Sequence, residues 1–183
     1  MADIFVGGLD DSEYKAVERY YDEYKKNRPD AAYFSWTDED KIHALMDSLP
    51  KDEPINLIGH SYGGDTSAQI AAHYDRNINL LITIDPASWL RPTWELVKAH
   101  TRLWIDVNAT GGSSFNTSNF VSGAGRSWDE KPKEYANVYY EASTATHANF
   151  TTMMRTKGPN GRSAEEILMD NSPVKTLQTN KVQ

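Results

Sequence analysis

Leu57-Ile58-Gly59-His60-Ser61-Tyr62-Gly63-Gly64 is the stretch on which the reading of this chain turns. The apolar run Ile55–Ile58 leading into it reads as a buried strand. The alanine-bearing, proline-free segment Asp65–Asp75 behind it reads as a helix. Between them stands Gly-x-Ser-x-Gly. A serine hydroxyl is a poor nucleophile unless it is exposed, aimed and set beside a base. A sharp strand-to-helix turn exposes and aims it, but leaves no room for side chains two residues to either side, which accounts for Gly59 and Gly63. The same turn puts Ser61 at the amino end of the helix. There the Tyr62 N–H and the helix dipole favour a developing oxyanion. A glycine-rich turn with an incidental serine has the same five residues, so the rest of the chain must supply a base and an acid.

Outward from the turn, strands alternate with helices. Ile4-Phe5-Val6-Gly7-Gly8 reads as a strand running into a glycine turn, and Asp10–Lys26 as an amphipathic helix with Tyr14, Val17, Tyr21 and Tyr24 on one face. Ala31–Trp36 is a second strand. Thr37-Asp38-Glu39-Asp40 opens a helix that Pro50 ends. After the Ser61 turn come strands at Asn79–Ile84, Arg102–Val107 and Glu134–Glu141. A helix-like segment follows at Ala148–Lys157, and Ser163-Ala-Glu-Glu166 is a capping box for a last short helix. Short, continuously apolar strands alternating with helices predict a single α/β domain: a mostly parallel six-stranded sheet with helices on both faces. Right-handed crossovers favour the order 2-1-3-4-5-6, with a ligand crevice at the carboxyl ends of strands 1 and 3. The domain is expected over residues 1–170, with a polar, mobile tail over 171–183.

The composition narrows the function classes. A chain of 183 residues holds one domain with a substantial core. A net charge of −7 argues against nucleic-acid binding and gives no attraction to anionic membranes. No apolar run is long enough to span a bilayer, and no signal peptide is visible; the address is left open between the cytoplasm and export by a signal-independent route. With no cysteine there is neither a disulfide nor a thiolate-held metal. His43 stands alone on its helix without a partner at ligand spacing, so no metal is expected. The glycosylation-type triplets at Asn108, Asn116 and Asn149 are read as chance matches.

Position along the chain selects the base. His147 follows the last strand, in a loop that falls at the carboxyl edge of the sheet beside Ser61. His60 adjoins Ser61, so its side chain must point elsewhere, and packing is its expected role. His73 lies too far down the following helix, and His100 precedes a strand at the opposite end of the sheet. Two acids compete to orient His147. Asp85 ends strand 4, where Pro86 stops the strand at the carboxyl edge. Asp106 sits within strand 5 between Ile105 and Val107. Asp129, in the long loop, is a distant third.

At these residues the sequence resembles the α/β-hydrolase superfamily, over roughly Ile4 to His147. The first strand matches the superfamily's third, which implies a minimal version lacking the early hairpin. Many α/β-hydrolases place the acid after the strand equivalent to strand 5. Pancreatic-type lipases place it one strand earlier in Asp-Pro-Ala, as Asp85-Pro86-Ala87 does here, and Asp85 therefore ranks ahead of Asp106. Val6-Gly7-Gly8-Leu9 is similar to the lipase glycine turn that supplies a second oxyanion donor, leaving Gly8 and Leu9 as alternatives beside Tyr62.

The resemblance implies a serine hydrolase that cleaves carboxylic esters through Ser61, His147 and Asp85 and an acyl-enzyme, without a cofactor. Its substrate would be a small-molecule or lipid-like acyl ester. Trp89, Phe115 and Phe120, with Val121, Trp128, Leu90 and Trp94, supply apolar surface for a pocket wall or lid, or else pin the long loop 108–132 to the domain. Thioesterase or acyltransferase chemistry on the same residues, and a non-catalytic binding module that keeps the fold, are the rival readings.

Overall fold

The computed structural model describes residues 1–9, 11–111 and 126–173. Six strands form one sheet: β1 (Ala2–Gly7), β2 (Ala32–Ser35), β3 (Ile55–His60), β4 (Leu80–Ile84), β5 (Trp104–Ala109) and β6 (Val138–Ala142). Their order is β2-β1-β3-β4-β5-β6, and all five pairings are parallel. Parallel neighbours need crossovers, and helices supply those from β1 through to β5: α1 (Asp11–Tyr14), α2 (Ala16–Tyr24), α3 (Glu39–Ser48), α4 (Tyr62–His73) and α5 (Trp94–Ala99); α6 (Phe150–Arg155) and α7 (Ala164–Asp170) follow β6.

The two-residue period of the strands divides the core into two layers. Phe5, Ile58, Ile82, Ile84, Ile105 and Val107 face α2, α6 and α7, meeting Val17, Tyr20, Phe150, Met153 and Leu168. Their neighbours Ile4, Val6, Leu57, Leu81 and Trp104 face the other way and pack with Ile42 and Met46 of α3, Ala68 and Ala71 of α4, and Val97 of α5. Both faces of β1, β3 and β4 are therefore dry, which explains their unbroken apolar runs.

Polar side chains bind the amino ends of the strands together. Asp3 accepts from Tyr24 Oη (2.8 Å), Asn56 Nδ2 (2.7 Å) and Ser172 Oγ. Asn79 donates to Asn56 (2.8 Å), and Arg102 donates to both Asn79 (2.8 Å) and Asn171 (2.6 Å). Asn171 and Ser172, at the start of the expected tail, are thus fastened under the sheet; the remainder of that tail from 174 lies outside the described residues.

Several boundaries differ from the sequence reading. The helix expected over Asp10–Lys26 is two helices, because Lys15 takes a left-handed conformation (φ 49°) between α1 and α2. The interruption is stabilised by Asp11, whose carboxylate turns back to accept from the N–H groups of Val17 (2.7 Å) and Glu18 (3.2 Å). Strand β6 starts at Val138; Lys131–Glu134 is a short 3₁₀ turn held by Pro132. Helix α5, between β4 and β5, had too short an apolar face to stand out in the sequence.

Candidate active site

The carboxyl ends of β3 and β4 and the loop after β6 meet at one point. Strand β3 ends at His60, and α4 begins at Tyr62, so Ser61 alone makes the turn, at φ 54° and ψ −125°. That backbone is costly for a residue with a side chain, and the surroundings enforce it. Ser61 N–H donates to Ile84 O at 3.0 Å, while its carbonyl accepts from Gly64 N (3.0 Å) and Ala87 N (3.2 Å). A Cβ on Gly59 would run into the carbonyl of Gly63, and one on Gly63 into the carbonyl of Val6. The two glycines of the motif are required by backbone crowding.

Strand β4 continues its ladder through Asp85, whose N–H donates to Val107 O at 2.7 Å, and then turns sharply at φ 42° into Pro86. The turn aims the Asp85 carboxylate across the top of the sheet. One oxygen accepts from Ala109 N at 3.1 Å, and the other lies 2.5 Å from His147 Nδ1. The far ring nitrogen, His147 Nε2, lies 3.0 Å from Ser61 Oγ. Asp85, His147 and Ser61 thus form one hydrogen-bonded line, all buried, with Ser61 3% and His147 1% exposed. With the carboxylate accepting from Nδ1–H, Nε2 is left as the acceptor facing the serine hydroxyl.

The His147 loop is tied down along its length. Ala145 N donates to Ala142 O (3.1 Å), and Gly111 N donates to Ala145 O (2.8 Å). The Asn149 side-chain oxygen accepts from both Thr146 N and Thr146 Oγ1 at 2.9 Å. His60 Nε2 lies 2.7 Å from the backbone carbonyl of His147.

The exit of β1 passes directly over the serine. A Cβ on Gly8 would lie 2.7 Å from Ser61 Cβ and 3.3 Å from its Oγ. Leu9 projects outward, 49% exposed. Tyr62, as the first residue of α4, has no partner for its N–H within the helix, and its ring rests against Trp36 at 5.0 Å. Gly8 and Tyr62 therefore border Ser61, while the Leu9 side chain points to solvent.

Asp106 stands apart from this line. It is fully buried one strand over, where it accepts from Thr83 Oγ1 at 2.5 Å; Thr83 in turn accepts from Trp104 Nε1 at 3.0 Å. Its second oxygen has no partner among the described residues. Burial, opposed in part by the Thr83 hydrogen bond, pushes its carboxyl up to about 8. Asp129 is exposed on the surface.

The expected substrate-binding residues have different fates. Phe115, Phe120 and Val121 lie outside the described residues. Trp89 is 59% exposed, with the Arg126 guanidinium 5.0 Å from its ring centre. Trp128 is buried; it packs edge-on against Trp94 at 4.8 Å and donates to Ser88 Oγ at 2.9 Å. It pins the end of the long loop to the domain, and the surface cavity that it lines with Arg91 and Trp94 includes none of Ser61, Asp85 and His147. Among the described residues, no group of three or more His, Cys, Asp or Glu side chains is arranged to hold a metal, and no helix is long and apolar enough to cross a membrane.

Residues 19–106 match the family described as the alpha/beta hydrolase fold. A crystal structure of the methylesterase protein MES16 from Arabidopsis superimposes with a TM-score of 0.51 at 10% identity, covering 93% of this chain and 96% of that one. The NocB thioesterase domain, solved as a covalent complex with a fluorophosphonate nocardicin G analog, gives a TM-score of 0.44 at 11% identity, over 82% and 91% of the two chains. No curated protein sequence matches. The parallel sheet, the family match and the methylesterase superposition define a protein of the α/β class with hydrolase topology. The chain has the α/β-hydrolase fold.

Proposed function

We propose that this protein is a serine hydrolase of carboxylic esters. The observation that carries the reading is the line from Asp85 through His147 to Ser61, with contacts of 2.5 and 3.0 Å, at the carboxyl edge of the sheet. In this reading Ser61 Oγ attacks the ester carbonyl as His147 Nε2 takes its proton. Asp85 holds the ring with Nδ1–H toward itself and stabilises the imidazolium that forms. The carbonyl oxygen becomes an oxyanion beside Tyr62 N–H at the start of α4 and the backbone at Gly8 or Leu9. His147 then returns the proton to the departing alcohol, leaving Ser61 acylated. Water, deprotonated by the same imidazole, releases the acid and restores the hydroxyl. Nothing in this sequence of steps calls on a cofactor.

The apolar side chains exposed near this edge, Trp89, Leu90 and Leu9, favour an ester with an apolar acyl or alcohol part. Hydrolysis of aryl esters with acyl chains of increasing length tests the reading. The wild type should turn them over with a preferred length. Ser61→Ala and His147→Ala should each lose roughly 10⁴–10⁶-fold in kcat, because the three groups act as a unit. A variant that keeps a tenth of the activity rules out this assignment.

A further inference from the structure

His60 has a use that its place in the sequence hides. Its side chain leaves β3 on the face opposite α4 and reaches under the loop after β6. There Nε2 lies 2.7 Å from the carbonyl oxygen of His147. The two imidazole rings are 4.7 Å apart and tilted by 35°, and Phe150 of α6 closes the other side of His60 edge-on at 5.8 Å. A carbonyl only accepts, so Nε2 must carry a proton, which fixes the tautomer.

Resting on the serine-hydrolase reading, we infer that His60 is a positioning residue: its Nε2–H holds the backbone of His147, and so aims the general base at Ser61. Further ties on the loop are made at Ala145, Thr146 and Asn149, before and after the base. His60 grips the backbone of residue 147 itself, and it does so from the strand that leads into Ser61. Base and nucleophile are thereby referenced to one rigid element, although 86 positions separate them. A shift of the ring by about 1 Å from a productive geometry costs roughly 10²-fold in rate.

The environment suits that task. His60 is fully enclosed, and burial above all, with the neighbouring charge of His147, lowers its pKa to about 3. It therefore stays neutral while His147 gains and loses its proton. The grip persists through the cycle, and no second positive charge opposes the imidazolium.

Two variants separate the hydrogen bond from the packing. His60→Gln keeps an N–H donor of similar reach and loses the ring. His60→Phe keeps a ring against His147 and Phe150 and loses the donor. Steady-state hydrolysis, the rate of fluorophosphonate labelling and the proton resonance of His147 Nδ1–H in its bond to Asp85 are the readouts. His60→Phe should lower kcat and labelling roughly 10²-fold at nearly constant KM and should shift or broaden that resonance. His60→Gln should recover most of the loss and the wild-type resonance. If His60→Phe matches or exceeds His60→Gln, His60 only fills space and the inference falls. Nitrogen chemical shifts of the wild type give a test that needs no variant: a neutral His60 protonated on Nδ1 also overturns it. Labelling that persists in Ser61→Ala would instead refute the serine-hydrolase reading, so the two failures are distinguishable.

Discussion

Ser61 Oγ lies 3.0 Å from His147 Nε2, and Asp85 meets the other nitrogen of the same ring, Nδ1, at 2.5 Å. Each residue follows a different strand of the sheet: Ser61 follows β3, Asp85 β4 and His147 β6. The contact therefore depends on the strand order, and on Pro86 turning the chain just after Asp85.

Asp85→Asn should lower kcat on a simple ester by roughly 10³–10⁴-fold, since an amide neither holds the required tautomer nor stabilises an imidazolium. Asp106→Asn, one strand away and bonded to Thr83, should change kcat little. Measuring both variants on one ester checks the assignment. A dead Asp106→Asn beside an active Asp85→Asn would move the acid to β5.

Asp106 also sets the sign of a pH effect on stability. Folded, it keeps its proton up to about pH 8; unfolded, it releases it near 3.8, the ordinary value for an aspartate. The native state therefore binds more protons between those limits, and stability falls as pH rises across them, then levels off above about 8. Asp65, raised to about 7 by burial, adds a slope of the same sign over its own range. Asp106→Asn should flatten the dependence and stabilise the protein at about pH 9, by on the order of 1–3 kcal/mol. Thermal melts at about pH 5 and pH 9 decide it; a variant less stable than the wild type at the higher pH contradicts the burial argument.

Gly8 has backbone tight against Ser61, and a Cβ there would also lie 2.8 Å from His60 O. Gly8→Ala should push the β1 exit away from the serine and cut kcat at least roughly tenfold, with a smaller loss of stability. Comparing its kcat with its melting curve separates the two effects. Full activity would place the second oxyanion donor elsewhere.

Asp3 gathers Tyr24, Asn56 and Ser172 at the closed end of the sheet. Asp3→Ala strands buried donors and should destabilise the fold by about 2–4 kcal/mol. Its distance from Ser61 should leave kcat unchanged below the melting range. Urea unfolding together with ester kinetics reads both quantities.

Much of this arrangement was legible in the sequence, for reasons that can be named. Strand β3 and helix α4 were plain because the apolar run and the glycine spacing are local signals. The parallel order followed from alternation. The carboxyl edge could be located at Asp85 because proline ends strands, and His147 fell there because it follows the last strand. What stayed hidden depends on side-chain direction across the fold. His60 looked like mere packing because its carbonyl partner is 87 residues away. The break at Lys15 was invisible because its cause, the returning Asp11 carboxylate, requires the turn to exist already. Trp128 could have been wall or pin, and only its indole bond to Ser88 decides for the pin.

The central claim is that Ser61 is a nucleophile activated by His147. Intact mass after brief exposure to a fluorophosphonate, followed by peptide mapping, tests it most directly. The account predicts a single phosphonyl adduct on Ser61, lost in Ser61→Ala and formed far more slowly in His147→Ala. An unlabelled wild type, or an adduct that survives Ser61→Ala, would contradict it.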